Sequence, residues 1–232
     1  MALLYVIVQQ PSSAAQLFLL YHGVNDNPDS MAQIGSWFAK AFPQALVVSV
    51  GAPYAASSVP QGRLWFADIP AHDRSEQQGV DAVMPEFVES VRHWQQQSGV
   101  RAEATALVGF SQGGTMVLEG VKAQPDLAGR AIVFSGRYAT LPQRASTRNT
   151  IHLIHGDYDE QIPLKHAEEA KQRLMLLGGD VTLDVVEDLP HAIDDRSMEL
   201  ALNHLRYTVP RRYFDEALSG AKPGDDDVVM MI

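Results

Sequence analysis

The sequence has no cysteine among its 232 residues. This excludes disulfide bonds, thiolate metal sites and a cysteine nucleophile. Positive charge is also scarce, since 18 Lys and Arg stand against 28 Asp and Glu, giving a formal net charge of −10 at pH 7. Nucleic acids and anionic membranes repel such an acidic surface, so we expect neither as a partner.

Long apolar runs are missing as well. The first apolar stretch, residues 3–8, is too short to cross a bilayer and is interpreted as a strand. It lacks the basic start and the small-residue cleavage site of a signal peptide, so we expect a cytoplasmic protein without stable membrane insertion. No internal repeat or interdomain linker is visible, which predicts one domain over residues 1–219. An acidic and mobile tail is predicted over residues 220–232.

Short apolar segments alternate with helical patterns along the chain. Strands are predicted at residues 3–8, 16–21, 46–50, 104–108, 131–134, 150–154 and 181–186. Most are apolar almost throughout, which is typical of strands covered by helices on both faces. The linker between the first two strands is too short for a crossover helix, so an antiparallel N-terminal strand pair is predicted. The rest of the alternation predicts a mostly parallel α/β sheet.

The most informative motif is Gly109-Phe110-Ser111-Gln112-Gly113, which follows one predicted strand and precedes a helical stretch. A serine at such a sharp turn has its hydroxyl exposed above the sheet edge, and the flanking glycines avoid collisions with the adjacent strand and helix. Free N–H groups at the helix N-terminus can also stabilise a developing oxyanion. The alternative is a Gly-rich turn with a capping serine, but the position between strand and helix favours Ser111 as a nucleophile.

A serine nucleophile needs a base, normally a histidine oriented by a carboxylate. In folds with this turn the chain order is Ser, then Asp or Glu, then His. His191 follows the last predicted strand and is therefore the predicted base. Asp157, Asp159 and Glu160 all follow the sixth predicted strand, so strand position alone leaves the acid open. Asp157 directly follows a glycine and favours turn capping, Glu160 lies near a helix start, and Asp159 has room to turn inward.

One oxyanion donor is expected in the loop that follows an early strand, and the other on the residue after the nucleophile. His22-Gly23 follows the second predicted strand and lets the chain turn so that a backbone N–H faces the serine. We therefore predict the backbone amides of Val24 and Gln112 as the two donors.

The long segment 51–75 breaks the strand–helix alternation and is a candidate cover for a pocket. Walls of an acyl pocket are predicted from Val24, Trp65, Phe110, Ile162 and Ile193.

A metal site is the competing interpretation of the acidic loop, because His152, His155, Asp157 and Asp159 are close in sequence. The two histidines differ by an odd number of residues, so on a strand they point to opposite faces. The loop also lacks the glycine position of a calcium site. We expect no metal and no other cofactor.

Taken together, these motifs resemble a known family. The matching segments are Leu20-Tyr21-His22-Gly23, Gly51-Ala52-Pro53, Trp65-Phe66, Gly109-Phe110-Ser111-Gln112-Gly113-Gly114, the run 155–163 and Pro190-His191. They are similar to the bacterial carboxylesterase, phospholipase/carboxylesterase and acyl-protein thioesterase family, in particular its YpfH-type esterase branch. The resemblance covers about residues 15–205. It implies an α/β-hydrolase fold without a large lid, a monomer or homodimer, and hydrolysis of carboxyl esters or thioesters.

The resemblance also implies site residues. It selects Asp159, the fifth residue of His-Gly-x-x-Asp, as the triad acid and His191 as the base. Pro190 stands where the family commonly has glycine, and Val24-Asn25 departs from the usual oxyanion loop. These departures leave the shape of the pocket, and hence the substrate, open.

Three functions follow from these observations. The first is a serine carboxylesterase that hydrolyses short- to medium-chain acyl esters through an acyl-enzyme, because no long apolar insertion could form a tunnel for a C16 chain. The second is an acyl-protein or acyl-CoA thioesterase with the same triad, although no cluster of Lys and Arg near the motifs would bind CoA phosphates. The third is a non-catalytic binding protein, which typically loses a triad member, whereas all three are present here. The expected partner is therefore a small acyl ester.

Overall fold

The structure is a computed structural model and describes residues 3–57, 59–66 and 75–219. Its strands are β1 (Tyr5–Gln9), β2 (Gln16–Tyr21), β3 (Ala45–Val50), the two-residue strands β4 (Tyr54–Ala55) and β5 (Arg63–Leu64), β6 (Thr105–Phe110), β7 (Arg130–Phe134), β8 (Thr150–Gly156) and β9 (Asp180–Val186). Its helices are α1 (Pro28–Ala41), α2 (Ser75–Ser98), α3 (Gln112–Ala123), α4 (Lys165–Leu176), α5 (Asp195–Tyr207) and α6 (Arg211–Ser219). The predicted tail, 220–232, and residues 67–74 of the predicted pocket cover, 51–75, lie outside the described residues.

Seven strands form one sheet in the order β1-β3-β2-β6-β7-β8-β9, and every neighbouring pair is parallel except β1 with β3. The mostly parallel sheet with an antiparallel N-terminal strand is therefore confirmed. The partner of that strand differs from the expectation, because β3 lies between β1 and β2. The linker 10–15 reaches about 20 Å, which exceeds the roughly 10 Å of two strand spacings, so it can cross over β3.

Helices cover both faces of the sheet. Leu20 and Tyr21 are consecutive on β2, so their side chains point to opposite faces. Gly35 of α1 packs against Leu20, whereas the Tyr21 ring lies 4.6 Å from the Phe87 ring of α2, measured between centroids. The strands between these layers are buried along almost their whole length, which explains their continuous apolar sequences.

The register brings the carboxyl ends of the central strands together. Tyr21 of β2 pairs with Gly109 of β6, and Phe110 pairs with Phe134 of β7, which in turn pairs with Ile154 of β8. The loops that leave these ends therefore meet above one edge of the sheet, where parallel α/β sheets place their sites. In the described part of the chain, no helix is long and apolar enough to cross a membrane.

Candidate active site

Ser111 occupies the turn between β6 and α3 in a strained backbone conformation. Its φ of 53° and ψ of −118° lie where residues other than glycine are rarely found, at a cost of about 1–3 kcal/mol. The Ser111 N–H donates to the carbonyl of Phe134 on β7 at 3.0 Å, and its carbonyl accepts from the Thr115 N–H inside α3 at 3.0 Å. The strained residue is thus anchored to the neighbouring strand and to the helix that follows.

The glycines on either side of Ser111 are required by close backbone approach. A Cβ atom at Gly109 would lie 2.5 Å from the carbonyl oxygen of Gly113, and one at Gly113 would lie 2.2 Å from the carbonyl oxygen of Tyr21. Both distances are far below van der Waals contact. The steric reason that the sequence suggested for these two glycines therefore holds.

The structure brings Ser111, His191 and Asp159 into one hydrogen-bonded chain. The Ser111 Oγ lies 2.9 Å from His191 Nε2, and His191 Nδ1 lies 2.7 Å from Asp159 Oδ2. With the imidazole neutral, the Nδ1–H donates to the carboxylate and Nε2 accepts from the serine hydroxyl. The Asp159 side chain has no exposed surface, and that of His191 is 9% exposed. This tautomer leaves the basic nitrogen facing the serine.

Asp159 is held by its own turn. Its Oδ1 accepts the backbone N–H groups of Gln161 at 3.0 Å and Ile162 at 2.9 Å. The other two candidate acids, Asp157 and Glu160, are exposed on the same loop. Only Asp159 among the three is directed at His191, so the geometry favours it as the orienting carboxylate.

His155 supports this turn and was missed as a site residue in the sequence. Its Nε2–H donates to the carbonyl of Ile162 at 2.7 Å, and Nε2 lies 3.4 Å from Asp159 Oδ2. Burial lowers the pKa of His155, so the ring is neutral when it makes these contacts. The His-Gly pair that opens the acid motif was the available signal for this role.

The two segments predicted to carry oxyanion donors lie next to Ser111. Gln112 is the first residue of α3, so its N–H has no acceptor within the helix. Gly23 passes so close to Ser111 that a Cβ atom there would lie 3.3 Å from the Ser111 Cβ. Val24 follows directly and is half-buried.

A buried histidine fixes the chain just before Val24. The His22 Nδ1–H donates to the carbonyl of Gly23 at 2.7 Å, and Nε2 accepts the N–H of Ala52 at 3.0 Å. Burial lowers the pKa of His22, which keeps Nε2 free of a proton and able to accept. Protonation would place two donors face to face, so the segment depends on a neutral ring.

The predicted pocket walls divide into two groups. Val24, Phe110, Ile162 and Ile193 are half-buried around the site, and the Phe110 ring lies 4.9 Å from the His191 ring between centroids. Trp65 differs from its prediction, because its side chain has no exposed surface in this structure. Its indole N–H donates to the carbonyl of His22 at 3.0 Å, so it lies behind the site and offers no wall to a substrate.

Among the described residues, no group of three or more His, Asp and Glu side chains is placed to hold a metal ion. His152 accepts from Arg130 at 2.8 Å and contacts Thr182, while His155 Nε2 lies 3.4 Å from Asp159 Oδ2. The side chains of His152 and His155 therefore lie on opposite faces of β8.

A family model described as Phospholipase/Carboxylesterase matches residues 4–209. The chain belongs to this family, which makes it a carboxylic ester hydrolase with the α/β-hydrolase fold. It is 60% identical over 229 residues to Esterase YpfH of Escherichia coli (strain K12), covering 98% of each chain. The crystal structure of esterase PE8 matches with a TM-score of 0.78 and 26% identity, over 90% of this chain and 99% of that one. The carboxylesterase of Bacillus cereus shares the fold with a TM-score of 0.74 at 16% identity, over 93% and 94% of the two chains.

Proposed function

We propose that the protein is a serine carboxylesterase that cleaves small acyl esters through an acyl-enzyme intermediate. The observation that carries the proposal is the unbroken hydrogen-bonded chain from Ser111 Oγ to His191 and on to Asp159, with links of 2.9 and 2.7 Å. A neutral imidazole between a serine and a buried carboxylate is the arrangement that activates a hydroxyl as a nucleophile.

The proposed reaction has two halves. Ser111 Oγ attacks the acyl carbonyl carbon while His191 Nε2 takes the hydroxyl proton, and the carbonyl oxygen becomes an oxyanion bound by the N–H groups of Val24 and Gln112. The intermediate collapses, His191 gives the proton to the leaving alcohol, and the acyl group stays on Ser111. Water then attacks the acyl-enzyme with His191 again as base. Asp159 keeps the Nδ1–H in place throughout.

The proposed substrates carry short to medium acyl chains. In the described residues, the segment 51–66 contains only the two-residue strands β4 and β5, and no separate lid domain is inserted into the chain. The four half-buried apolar side chains around Ser111 form walls suited to a small acyl group. A C16 chain would extend beyond them into water and lose the benefit of burial.

The test of the serine mechanism is labelling with a fluorophosphonate followed by intact-mass measurement. One covalent adduct is expected on the wild-type protein and none on Ser111→Ala. Both should melt at similar temperatures, which makes loss of labelling a chemical effect. An adduct on the alanine variant would refute the assignment of Ser111.

Substrate class requires a separate comparison. The kcat/KM is expected to peak between acetate and octanoate p-nitrophenyl esters and to fall by palmitate, so a steady rise to palmitate would refute the proposed chain length. An ester and a thioester with the same acyl group should be compared, because a thioesterase would use the same triad. A large preference for the thioester would assign the protein to that second class.

The remaining expectations are also proposals. The net charge of −10 supports the absence of nucleic acid as a partner. A cytoplasmic location is proposed as well. Light scattering on the purified protein distinguishes a monomer from the homodimer left open by the sequence, and a gel shift with DNA or RNA is expected to be negative.

A further inference from the structure

The segment 51–66 contacts the candidate site through its last residues. Trp65 is wholly buried and packs its indole against the rings of Tyr21, His22 and Phe87, with centroid distances of 5.5, 5.8 and 6.0 Å. A buried tryptophan normally finds an acceptor for its indole N–H. The identity of the acceptors at Trp65 suggests what this residue does.

Both N–H groups of Trp65 bond to parts of the candidate oxyanion hole. Its backbone N–H donates to the side-chain oxygen of Gln112 at 2.6 Å, and its indole N–H donates to the carbonyl of His22 at 3.0 Å. The Gln112 amide nitrogen then donates to the carbonyl of Phe66 at 2.8 Å. Gln112 is thus bonded on both sides to the same stretch of chain.

These two acceptors belong to the two segments that carry the oxyanion donors. Gln112 supplies one donor from its own backbone, and the His22 carbonyl lies two residues before Val24, which supplies the other. The same segment also holds the His22 side chain, because the N–H of Ala52 donates to His22 Nε2. Trp65 is bonded directly to both donor segments, and both bonds are buried.

We propose that Trp65 is a positioning residue that sets the spacing between the two oxyanion N–H groups. The inference rests on the proposed function, since it needs Val24 and Gln112 to act as the donors. Trp65 touches neither the substrate nor the reacting atoms. It acts by holding the His22 carbonyl and the Gln112 side chain at a fixed separation.

The expected effect follows from how oxyanion holes work. The donors stabilise charge only when they lie about 2.7–3.1 Å from the developing oxyanion, and removal of one donor costs about 10²–10³ in kcat. Loss of the indole N–H leaves the His22 carbonyl unpaired and frees Val24 to shift, while the Gln112 contact is kept. We therefore expect a smaller loss, about 10- to 100-fold in kcat.

The test is Trp65→Phe, which removes the indole N–H and keeps an aromatic ring. The matched control is Trp94→Phe, the same substitution on α2, where the ring packs against Tyr5 at the outer edge of the sheet. With p-nitrophenyl acetate, Trp65→Phe should lose kcat with little change in KM, and Trp94→Phe should behave as wild type. Fluorophosphonate titration gives the concentration of working sites, so misfolded protein is excluded from kcat.

A second readout separates oxyanion binding from general damage. Ser111 Oγ adds to the carbonyl carbon of a trifluoromethyl ketone, and the serine proton passes to His191. The carbonyl oxygen becomes an oxyanion in the hole. Its inhibition constant should rise in Trp65→Phe by the factor that kcat/KM loses. The pH profile of kcat/KM should keep its shape, because His191 and Asp159 are untouched.

Several outcomes would overturn the proposal. They are a kcat within about twofold of wild type, a loss explained wholly by fewer titrated sites, or an unchanged inhibition constant beside a reduced kcat/KM. If Trp65→Phe fails to fold, Trp65→Tyr removes the same N–H, fills more of the cavity, and must meet the same expectations. Failure of the proposed function is distinguishable, because wild-type protein would then not bind the ketone and Ser111→Ala would remain active.

Discussion

Replacing Asp159 with asparagine tests the candidate triad at its most buried member. The change removes one charge and keeps the shape of the side chain. Oδ1 accepts two backbone N–H groups, from Gln161 and Ile162, so the asparagine oxygen is expected to occupy that position. The new NH₂ group must then take the place of Oδ2, which lies 2.7 Å from His191 Nδ1.

That orientation imposes the wrong tautomer on His191. An NH₂ group donates, so the facing Nδ1 must accept and the ring proton moves to Nε2. Nε2–H then points at Ser111 Oγ and cannot take its proton. A wrong-tautomer substitution of this kind lowers kcat about 10⁴-fold, equivalent to about 5.5 kcal/mol of activation free energy. KM should change little, because no atom that contacts substrate is altered.

Asp157→Asn is the matched control, since the same substitution is made two residues away on an exposed side chain. Its kcat on p-nitrophenyl acetate is expected within about twofold of wild type, the small effect typical of exposed positions. Both variants should melt cooperatively. Retention of more than a tenth of kcat in Asp159→Asn, or a larger loss in Asp157→Asn, would refute the assignment of Asp159 as the orienting acid.

Three further predictions concern stability. The free energy of unfolding of Ser111→Gly should exceed that of Ser111→Ala by about 1 kcal/mol, because glycine relieves the strained backbone. A lower urea midpoint for Ser111→Gly than for Ser111→Ala would contradict strain at Ser111. Gly113→Ala should fail to give folded, labelled protein, because its Cβ would lie 2.2 Å from the Tyr21 carbonyl oxygen, and a normal melting curve would refute this. Burial lowers the pKa of His152 in the folded state, so below about pH 6.5 the unfolded chain binds a proton that the folded protein does not. Stability should therefore fall as the pH drops from 7.5 to 5.5. His152→Gln should flatten that slope, whereas the exposed His93→Gln should not, and equal slopes in all three proteins would contradict the prediction.

The sequence predicted local features well, because they depend on neighbours along the chain. The turn at Ser111 could be recognised from two glycines between a strand and a helix, and the buried strands from their continuous apolar residues. The prediction of His191 as the base used the chain order of folds with this turn and its position after the last predicted strand. The turn and the strands need only short-range sterics and a strand's burial on both faces.

Features that depend on distant pairing could not be predicted in the same way. The short linker after β1 correctly implied opposite strand directions, but nothing local indicates that β3 lies between β1 and β2. Trp65 is predicted as a pocket wall because it lies in the long segment 51–75, the candidate cover of a pocket. Its actual acceptors, His22 and Gln112, are 43 and 47 residues away, and a sequence gives no measure of such bonds.

The geometry at Ser111 depends on the register of the whole sheet more than on the motif itself. The carbonyl of Phe134, at the end of β7, accepts the Ser111 N–H. The carbonyl of Tyr21, at the end of β2, leaves room only for glycine at position 113. Both contacts require the pairings of Tyr21 with Gly109 and of Phe110 with Phe134. A slip of one residue would exchange the faces of a strand and remove both contacts. The strained serine is therefore held by the same buried strand pairs that form the core, so the position of the Ser111 hydroxyl and the stability of the sheet are linked.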